Sequence, residues 1–213
     1  MIELYTFGTP NGRKASVLLE ELALPYNVHT VHIGRDEQFA PAFLAISPNN
    51  RIPAIVDTAP ADGGPPLSVF ETAAIMIYLA EKTGSELYPS DPRRRADVLQ
   101  WLEWQMGGPG PMFGQANWFF GNQRDNERAL DRYVDESIRL LGVLDRNLAN
   151  RPYMAGDYSL ADIATYPWCA GRIQTWMPEL RPGVLEGFAN VQRWMAACAA
   201  RPAVQRGMAV PSS

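Results

Sequence analysis

The stretch SPNNRIPA, residues 47–54, decides the fold because its second proline stands immediately before a short apolar strand. Residues 54–57 form that strand, and the breakers DGGPP at 62–66 predict a turn before another short strand at 67–69. Two strands joined by such a turn form a hairpin.

Upstream of the hairpin, the chain predicts a strand–helix–strand unit. Residues 2–6 form a strand, the breakers GTPNG at 8–12 end it, and residues 26–33 alternate in period two as a second strand. The intervening helix has an apolar face and a charged face; the apolar set is Ala15, Leu18, Leu19 and Leu22, and the charged set is Arg13, Lys14, Glu20 and Glu21. These three elements together predict a right-handed βαβ unit.

Downstream of the hairpin, a helix begins at Glu71 and stops at Gly84. The order of the first part of the chain is therefore βαβ followed by ββα. We assign residues 1–84 to this α/β domain, residues 85–92 to a linker rich in proline and serine, and residues 93–213 to an all-α domain.

The second domain predicts a helical bundle because apolar residues recur there at three- and four-residue spacing. The stretch GGPGP at 107–111 either breaks the first long helix or begins a new one. The predicted helices span 93–106, 126–148, 160–176 and 186–199.

Composition narrows the classes of partner. The chain of 213 residues has 23 acidic and 19 basic side chains and a net charge of -4, which gives no electrostatic reason to expect nucleic acid or a membrane as partner. No signal peptide or 18-residue apolar run is readable, so a cytoplasmic location is expected. Cys169 and Cys198 form no metal-binding pattern with the two histidines, and no metal is expected.

Three motifs carry a family resemblance: SPNNRIPA at 47–54, FETAAI at 70–75 and YSLADI at 158–163. In this order, on a βαβ-ββα half and a helical half, they resemble a cytosolic glutathione transferase. The resemblance implies a thioredoxin-like N-terminal domain with a mixed four-stranded sheet, and an all-α C-terminal bundle. TPNGRK at 9–14 looks most like the bacterial nu class, whose members often reduce disulfides with glutathione.

The resemblance places glutathione at two backbone features. A cis bond before Pro53 would let the N–H and C=O of Ile52 pair with the cysteinyl unit of glutathione, as an added strand. Glu71 and Thr72 begin a helix, where free N–H groups and the Thr72 hydroxyl would hold the γ-glutamyl carboxylate and Glu71 its ammonium. The usual family residue at position 72 is serine, and threonine retains the hydroxyl.

Further polar residues are expected around the same cleft. Gln38, Asn50 and Arg51 surround it, and Arg51 stands where many relatives have lysine, so its guanidinium could pair with the glycyl carboxylate. Arg132 matches a nu-class position that reaches the glutathione site from the helical domain. Without the resemblance, Arg132 would be interpreted as a solvated helix charge.

The thiol of glutathione needs donors at the start of the first helix, because the reactive species is the thiolate. Thr9 and Asn11 supply a hydroxyl and an amide, and we assign them as the catalytic residues. Ser16 is the competing hydroxyl, but it lies inside the helix and can bond a backbone carbonyl. The absence of a cysteine near this loop disfavours a mixed disulfide with the protein.

The expected function is that of a homodimeric glutathione-dependent transferase with disulfide-bond reductase activity. Its co-substrate is reduced glutathione, with oxidised glutathione as a bound product or cofactor, and its second substrate is a small electrophile or disulfide. The alternative is a non-catalytic glutathione-transferase-like module for protein interaction. The second-substrate site has only candidates, which are Met106, Met112, Phe113, Trp118, Phe119 and Tyr166.

Overall fold

The structure is a computed structural model that describes residues 1–211. Within the described residues, the chain divides into two compact units, one formed by residues 1–90 with residues 201–211, and one formed by residues 91–200. This division differs from the expected helical domain at 93–213, because the last helix packs on the first helix of the first unit.

A four-stranded mixed sheet forms the centre of the first unit. Its strands are β1 (Ile2–Thr6), β2 (Tyr26–Thr30), β3 (Ala54–Asp57) and β4 (Leu67–Phe70), in the order β2-β1-β3-β4. β1 runs parallel to β2, and both β1–β3 and β3–β4 are antiparallel. The predicted βαβ-ββα order and thioredoxin-like sheet are confirmed, although β2 ends before residue 33.

The helices of the first unit begin and end where local chemistry directs. The Thr9 hydroxyl accepts a hydrogen bond from the Gly12 N–H at 3.2 Å, and Pro10 occupies the first helical position. Gly84 adopts a left-handed conformation with φ 62°, so the predicted stop is confirmed. These helices are α1 (Pro10–Glu21), α2 (Pro41–Leu44), α3 (Thr72–Thr83) and, at the end of the chain, α10 (Pro202–Met208).

Lys14 does not lie on the solvent face of α1, and that prediction was wrong. Its side chain is 1% exposed, and burial lowers its pKa from 10.5 to about 7. Residue 14 is one helical turn before Leu18, so it belongs to the buried stripe by position. The prediction followed the charge of the side chain instead of its place on the helix.

The second unit is built from helices, as predicted, and GGPGP begins a new helix at Pro109, which is one of the two alternatives that the sequence left open. Two helices differ from the prediction: Gly171 divides the predicted helix 160–176 into two, and the helix expected from 186 begins at Ala189. The helices are α4 (Pro92–Gly107), α5 (Pro109–Asn122), α6 (Glu127–Leu148), α7 (Leu160–Ala170), α8 (Ile173–Leu180) and α9 (Ala189–Ala199). Within residues 1–211, no helix is both long and apolar enough to cross a membrane.

The spacing of Ser159 and Asp162 in SLAD at 159–162 predicts an N-terminal capping box, and the start of α7 is such a box, buried within the unit. The Asp162 carboxylate accepts from the N–H groups of Ser159 at 2.9 Å and Met154 at 3.0 Å, and from Trp194 Nε1 at 2.7 Å. Burial raises the pKa of Asp162 to about 6 against these hydrogen bonds, which act in the opposite direction.

Candidate functional site

A polar cavity of about 140 Å³ lies in the first unit, where the first turns of α1 and α3 meet the loop before β3. It brings together six of the predicted site residues, which are Asn11, Arg51, Ile52, Pro53, Glu71 and Thr72. Ser47 and Asn49 complete its lining. The cavity is therefore built from three segments that are distant in the sequence.

The loop before β3 presents its backbone at this cavity. The Ile52–Pro53 peptide bond is cis, as the sequence predicted. Ser47 is buried, and its hydroxyl donates to the Arg51 carbonyl at 2.8 Å, which holds the turn closed. Ile52 itself makes no hydrogen bond among residues 1–211, so its N–H and C=O can pair with an extended peptide.

The first turn of α3 supplies an anion-binding helix end beside a carboxylate. The first intrahelical bond runs from the Ile75 N–H to the Glu71 carbonyl at 2.9 Å, so the N–H groups of residues 72–74 have no acceptor within the helix. Glu71 has φ 68° and gives no side-chain cap, and the Thr72 hydroxyl bonds nothing within residues 1–211. A positive φ at a non-glycine residue destabilises the fold by about 1–3 kcal/mol, and such strained residues are found mostly at binding and active sites.

Two hydrogen bonds orient the charged side chains of the cavity. Asn49 Nδ2 donates to Glu71 Oε1 at 3.1 Å, and the Arg51 guanidinium donates to Asn50 Oδ1 at 2.8 Å. Asn50 thus stands beside Arg51 and does not line the cavity itself. With a carboxylate and a guanidinium in one cavity, the site suits a ligand that carries both an ammonium and a carboxylate.

The start of α1 supplies the neutral donors. Asn11 lines the cavity, and Thr9 lies two residues before it at the N-cap, outside the lining. Because the Thr9 hydroxyl accepts from Gly12, its own O–H can still donate. The Ser16 hydroxyl, the competing candidate for the thiolate donor, donates to the Gly207 carbonyl oxygen at 2.7 Å. It is therefore bonded to a backbone carbonyl, as its position inside the helix suggested.

Aromatic side chains on β1 and after it take no part in this cavity. The Tyr5 ring stacks on His29 with centroids 4.6 Å apart, and Phe7 packs against His32 at 4.7 Å. Neither Tyr5 nor Phe7 lines the cavity. The tyrosine hydroxyl near the start of the chain is therefore not placed with the donors of α1.

Two predicted binding residues lie elsewhere. Gln38 is buried outside the cavity lining, with Nε2 3.5 Å from Asp36 Oδ1 and Oε1 lacking a partner within residues 1–211. Arg132 belongs to α6 in the second unit, where it lines a cavity of about 480 Å³. Its neighbours in that lining are Phe119, Asn126, Arg128, Ala129 and Tyr133.

The second-substrate candidates separate by burial. Phe113 and Tyr166 are buried within the helical unit, so the structure gives both a place in the core. Phe119 stacks on Tyr133 with centroids 5.5 Å apart, and Trp118 is 46% exposed beside it. Phe119 alone of these candidates lines the cavity that contains Arg132.

Ser47 and Asn49 are the lining residues that the sequence prediction missed. Both stand in SPNNRIPA, the stretch on which the fold prediction rests. The serine closes the loop and the asparagine contacts Glu71, 22 residues further along the chain. The polar composition of the stretch was the available signal, but it did not say which side chain would reach α3.

The cysteines are remote from this chemistry. Neither Cys169 nor Cys198 is part of a disulfide bond, and both are buried in the second unit. Burial raises the pKa of Cys169 to about 12, which keeps it a neutral thiol. Among residues 1–211, no group of three or more His, Cys, Asp or Glu side chains could hold a metal ion.

The sheet and the cis-proline loop define a thioredoxin-like protein, with a charged cavity at the starts of two of its helices. Comparison with known proteins identifies the family within this class. The profile of the glutathione S-transferase N-terminal domain matches residues 9–82, and that of the C-terminal domain matches residues 111–202. The chain belongs to the glutathione S-transferase family.

The similar proteins span nearly the whole chain. Disulfide-bond oxidoreductase YfcG of Escherichia coli is 46% identical over 98% of this chain and 94% of that protein. A glutathione transferase from Pseudomonas putida, crystallised with one glutathione disulfide per subunit, is 47% identical with a TM-score of 0.92, covering 99% of this chain and 91% of its own. A family member from Pseudomonas fluorescens with two glutathione bound is 45% identical with the same TM-score, covering 99% and 93%.

Proposed function

We propose that this protein binds glutathione in the cavity of its first unit and uses the glutathione thiolate to reduce small disulfides, with transfer to electrophiles as a second use of the same thiolate. The observation that carries the proposal is the convergence of Asn11, Arg51, Ile52, Glu71 and Thr72 on one cavity. The proteins described above as a disulfide-bond oxidoreductase and as glutathione-bound transferases support the same reaction class.

Each end of glutathione has a matching group. The γ-glutamyl carboxylate binds the first N–H groups of α3 and the Thr72 hydroxyl, while Glu71 accepts from the ammonium. The Ile52 backbone pairs with the cysteinyl unit, and Arg51 pairs with the glycyl carboxylate. Asn11 and Thr9 then donate to the thiolate and lower the cost of forming it at neutral pH.

Disulfide reduction takes two glutathione molecules. The first thiolate attacks the substrate disulfide, which gives a glutathione mixed disulfide and releases one substrate thiolate that takes up a proton. The second glutathione thiolate attacks the sulfur of the bound glutathione, which gives oxidised glutathione and releases the second substrate thiol. Both electrons come from glutathione, so no protein sulfur is required.

The donors are tested by comparing Asn11→Ala, Thr9→Ala and the double variant in the glutathione-dependent reduction of bis(2-hydroxyethyl) disulfide. We expect a loss in kcat on the order of 10²-fold for Asn11→Ala, as for the removal of one donor to a developing anion, and a smaller loss for Thr9→Ala. Asn27→Ala, at an exposed asparagine bonded to Glu3, is the matched control. A double variant with unchanged kcat would remove both residues from catalysis, and glutathione binding without turnover in the wild type would favour a binding module.

The same assay tests the independence from protein thiols. The double variant Cys169→Ser, Cys198→Ser should retain reductase activity within a few fold, after allowance for about 1 kcal/mol of lost stability at each buried site. A folded double variant that binds glutathione but has lost all reductase activity would restore a mechanism through a protein thiol.

Arg132 and the homodimer complete the proposal. Arg132→Gln should weaken binding of glutathione or its disulfide through loss of a cation, while Arg128→Gln, in the same cavity lining, should not. Equal effects would reject the special role of Arg132.

The homodimer is tested by light scattering, which should give twice the chain mass of 23.7 kDa, and a monomer mass would reject the dimer.

A further inference from the structure

The first turn of helix α1, which carries Asn11, packs so closely against Thr6 at the end of β1 and Phe7 after it that position 12 has no room for a side chain. A Cβ atom added at Gly12 would overlap the Phe7 carbonyl oxygen and the Thr6 hydroxyl, and would lie 3.3 Å from the Phe7 carbonyl carbon. Only glycine allows this approach. The first turn of α1 is therefore fixed against the end of β1.

A second close approach holds the middle of α1. A Cβ atom added at Gly207 of α10 would overlap Val17 of α1, including its backbone nitrogen at 2.6 Å. Beside it, the buried Ser16 hydroxyl donates to the Gly207 carbonyl at 2.7 Å, across 191 residues of sequence. The backbones of α1 and α10 are thus in direct contact, and the hydrogen bond from Ser16 to Gly207 fixes the register of one helix against the other.

Ion pairs hold α10 against the C-terminal end of α1. Arg201 donates from Nε to Glu21 Oε1 at 2.7 Å and from a terminal nitrogen to Oε2 at 2.8 Å, which is a bidentate pair. Arg206 Nε donates to Glu20 Oε2 at 2.6 Å. The two cations also offset the unfavourable placement of two carboxylates at the negative end of the α1 dipole.

We infer that α10 positions α1, so that Ser16 and Gly207 act as positioning residues for the thiolate donors at the start of that helix. The inference rests on the proposed function. Val17 and Asn11 are six residues apart on one unbroken helix, or about 9 Å, so a displacement at Val17 is carried to Asn11. A misplacement of about 1 Å at reacting groups can cost on the order of 10²-fold in rate.

The consequence is selective, because the other ligand contacts are on other elements. Glu71 and Thr72 are at the start of α3, and Arg51 and Ile52 are in the loop before β3. A shift of α1 should therefore disturb the thiol of bound glutathione and leave its two carboxylates in place. A purely structural role of α10 would reduce the stability of the fold without this selectivity.

The test compares Gly207→Ala and Ser16→Ala with Gly121→Ala, a helical glycine with open space around it. The readouts are the pKa of the bound glutathione thiol from thiolate absorbance, kcat with the small disulfide, thermal unfolding, and affinity for S-methylglutathione. For Gly207→Ala we expect a raised thiol pKa, kcat lower by about tenfold or more, and S-methylglutathione affinity within twofold of wild type. Ser16→Ala should also raise the thiol pKa and lower kcat, but by less than Gly207→Ala.

Two outcomes would overturn the inference. One is a folded Gly207→Ala with the wild-type thiol pKa and kcat, and the other is a loss of S-methylglutathione affinity as large as the loss of kcat. If Gly207→Ala does not fold, Ser16→Ala decides by the same readouts. Failure of the proposed function is distinct, because the wild-type protein itself would then either bind neither glutathione nor S-methylglutathione, or bind them without reducing the disulfide.

Discussion

Helices α3 and α7 begin with the same physical problem and solve it in opposite ways. At α7, the Asp162 carboxylate accepts from two backbone N–H groups and the Trp194 indole, all inside the helical unit. At α3, the Glu71 carboxylate is exposed and gives no cap. The start of α7 uses its polar groups within the fold, whereas the start of α3 leaves its first N–H groups and the Thr72 hydroxyl without an acceptor or donor in the helix, at the border of the cavity.

Burial sets the cost of each solution. Unpaired N–H groups at a buried helix end would each cost about 1–3 kcal/mol, so the start of α7 must be closed by protein. The first turn of α3 borders a cavity open to water, which can bond its N–H groups until a ligand displaces it. The comparison predicts large stability effects at α7, and binding effects without stability effects at α3.

The largest effect is expected for Asp162→Ala, which leaves the donors of Met154, Ser159 and Trp194 without their buried acceptor. We expect a loss of about 3–5 kcal/mol in the free energy of unfolding, measured by chemical denaturation. Asp157→Ala, at an aspartate whose side chain is 85% exposed, is the control and should change it by less than about 0.5 kcal/mol. A loss at Asp162 no larger than this control would break the comparison.

The pH dependence of stability should also report on Asp162. Its pKa in the folded protein, about 6, lies above the ordinary 3.8, so the folded state binds the proton more tightly. Stability from this group is therefore highest below pH 4 and falls as the pH rises towards 6, by up to about 3 kcal/mol. The difference in unfolding free energy between wild type and Asp162→Asn should follow this fall, and a difference that stays flat from pH 4 to 7 would contradict it.

For Glu71→Gln we expect a roughly tenfold weaker affinity for glutathione, because the ammonium loses a charged partner. The melting temperature should stay within a few degrees of wild type, since Glu71 gives no side-chain cap to α3. Calorimetry measures the affinity, and Glu179→Gln, at an exposed carboxylate of the second unit, is the matched control. Equal affinity in Glu71→Gln and wild type would reject the placement of the γ-glutamyl group.

The smallest effect is expected for Asn49→Ala. Its amide orients the Glu71 carboxylate, so its loss should weaken glutathione binding by about two- to fivefold. In the Glu71→Gln background the same change should have little further effect, because the two residues act together. Additive losses in this double-mutant cycle would show that Asn49 acts independently of Glu71.

The predictable part of the site came from segments whose chemistry is local. Thr72 follows directly on Glu71 at a helix start, and Ile52 directly precedes Pro53, so sequence neighbours carried both assignments. Gln38 was assigned through the family resemblance, but its short 3₁₀ turn places it outside the cavity lining. Asn49 was missed because its partner is 22 residues away.

The sequence by itself determined the βαβ-ββα order, the stop at Gly84 and the capping box of Ser159 and Asp162. These features depend on hydrogen bonds and backbone conformations that close within a few residues, so the local pattern contains their cause. The family could be predicted for the same reason, because each of the three motifs that carry the resemblance is a short continuous stretch of sequence.

Only the tertiary structure decided which distant groups complete the elements. Asp145 of α6 accepts from the N–H groups of Asn190 and Val191 and so starts α9, a partner 45 and 46 residues away that no helical period reveals. In the same way, Ser16 pairs with Gly207 in the last helix. Such contacts depend on how packed surfaces meet, and a periodic pattern records which face of an element is apolar without recording what that face will meet.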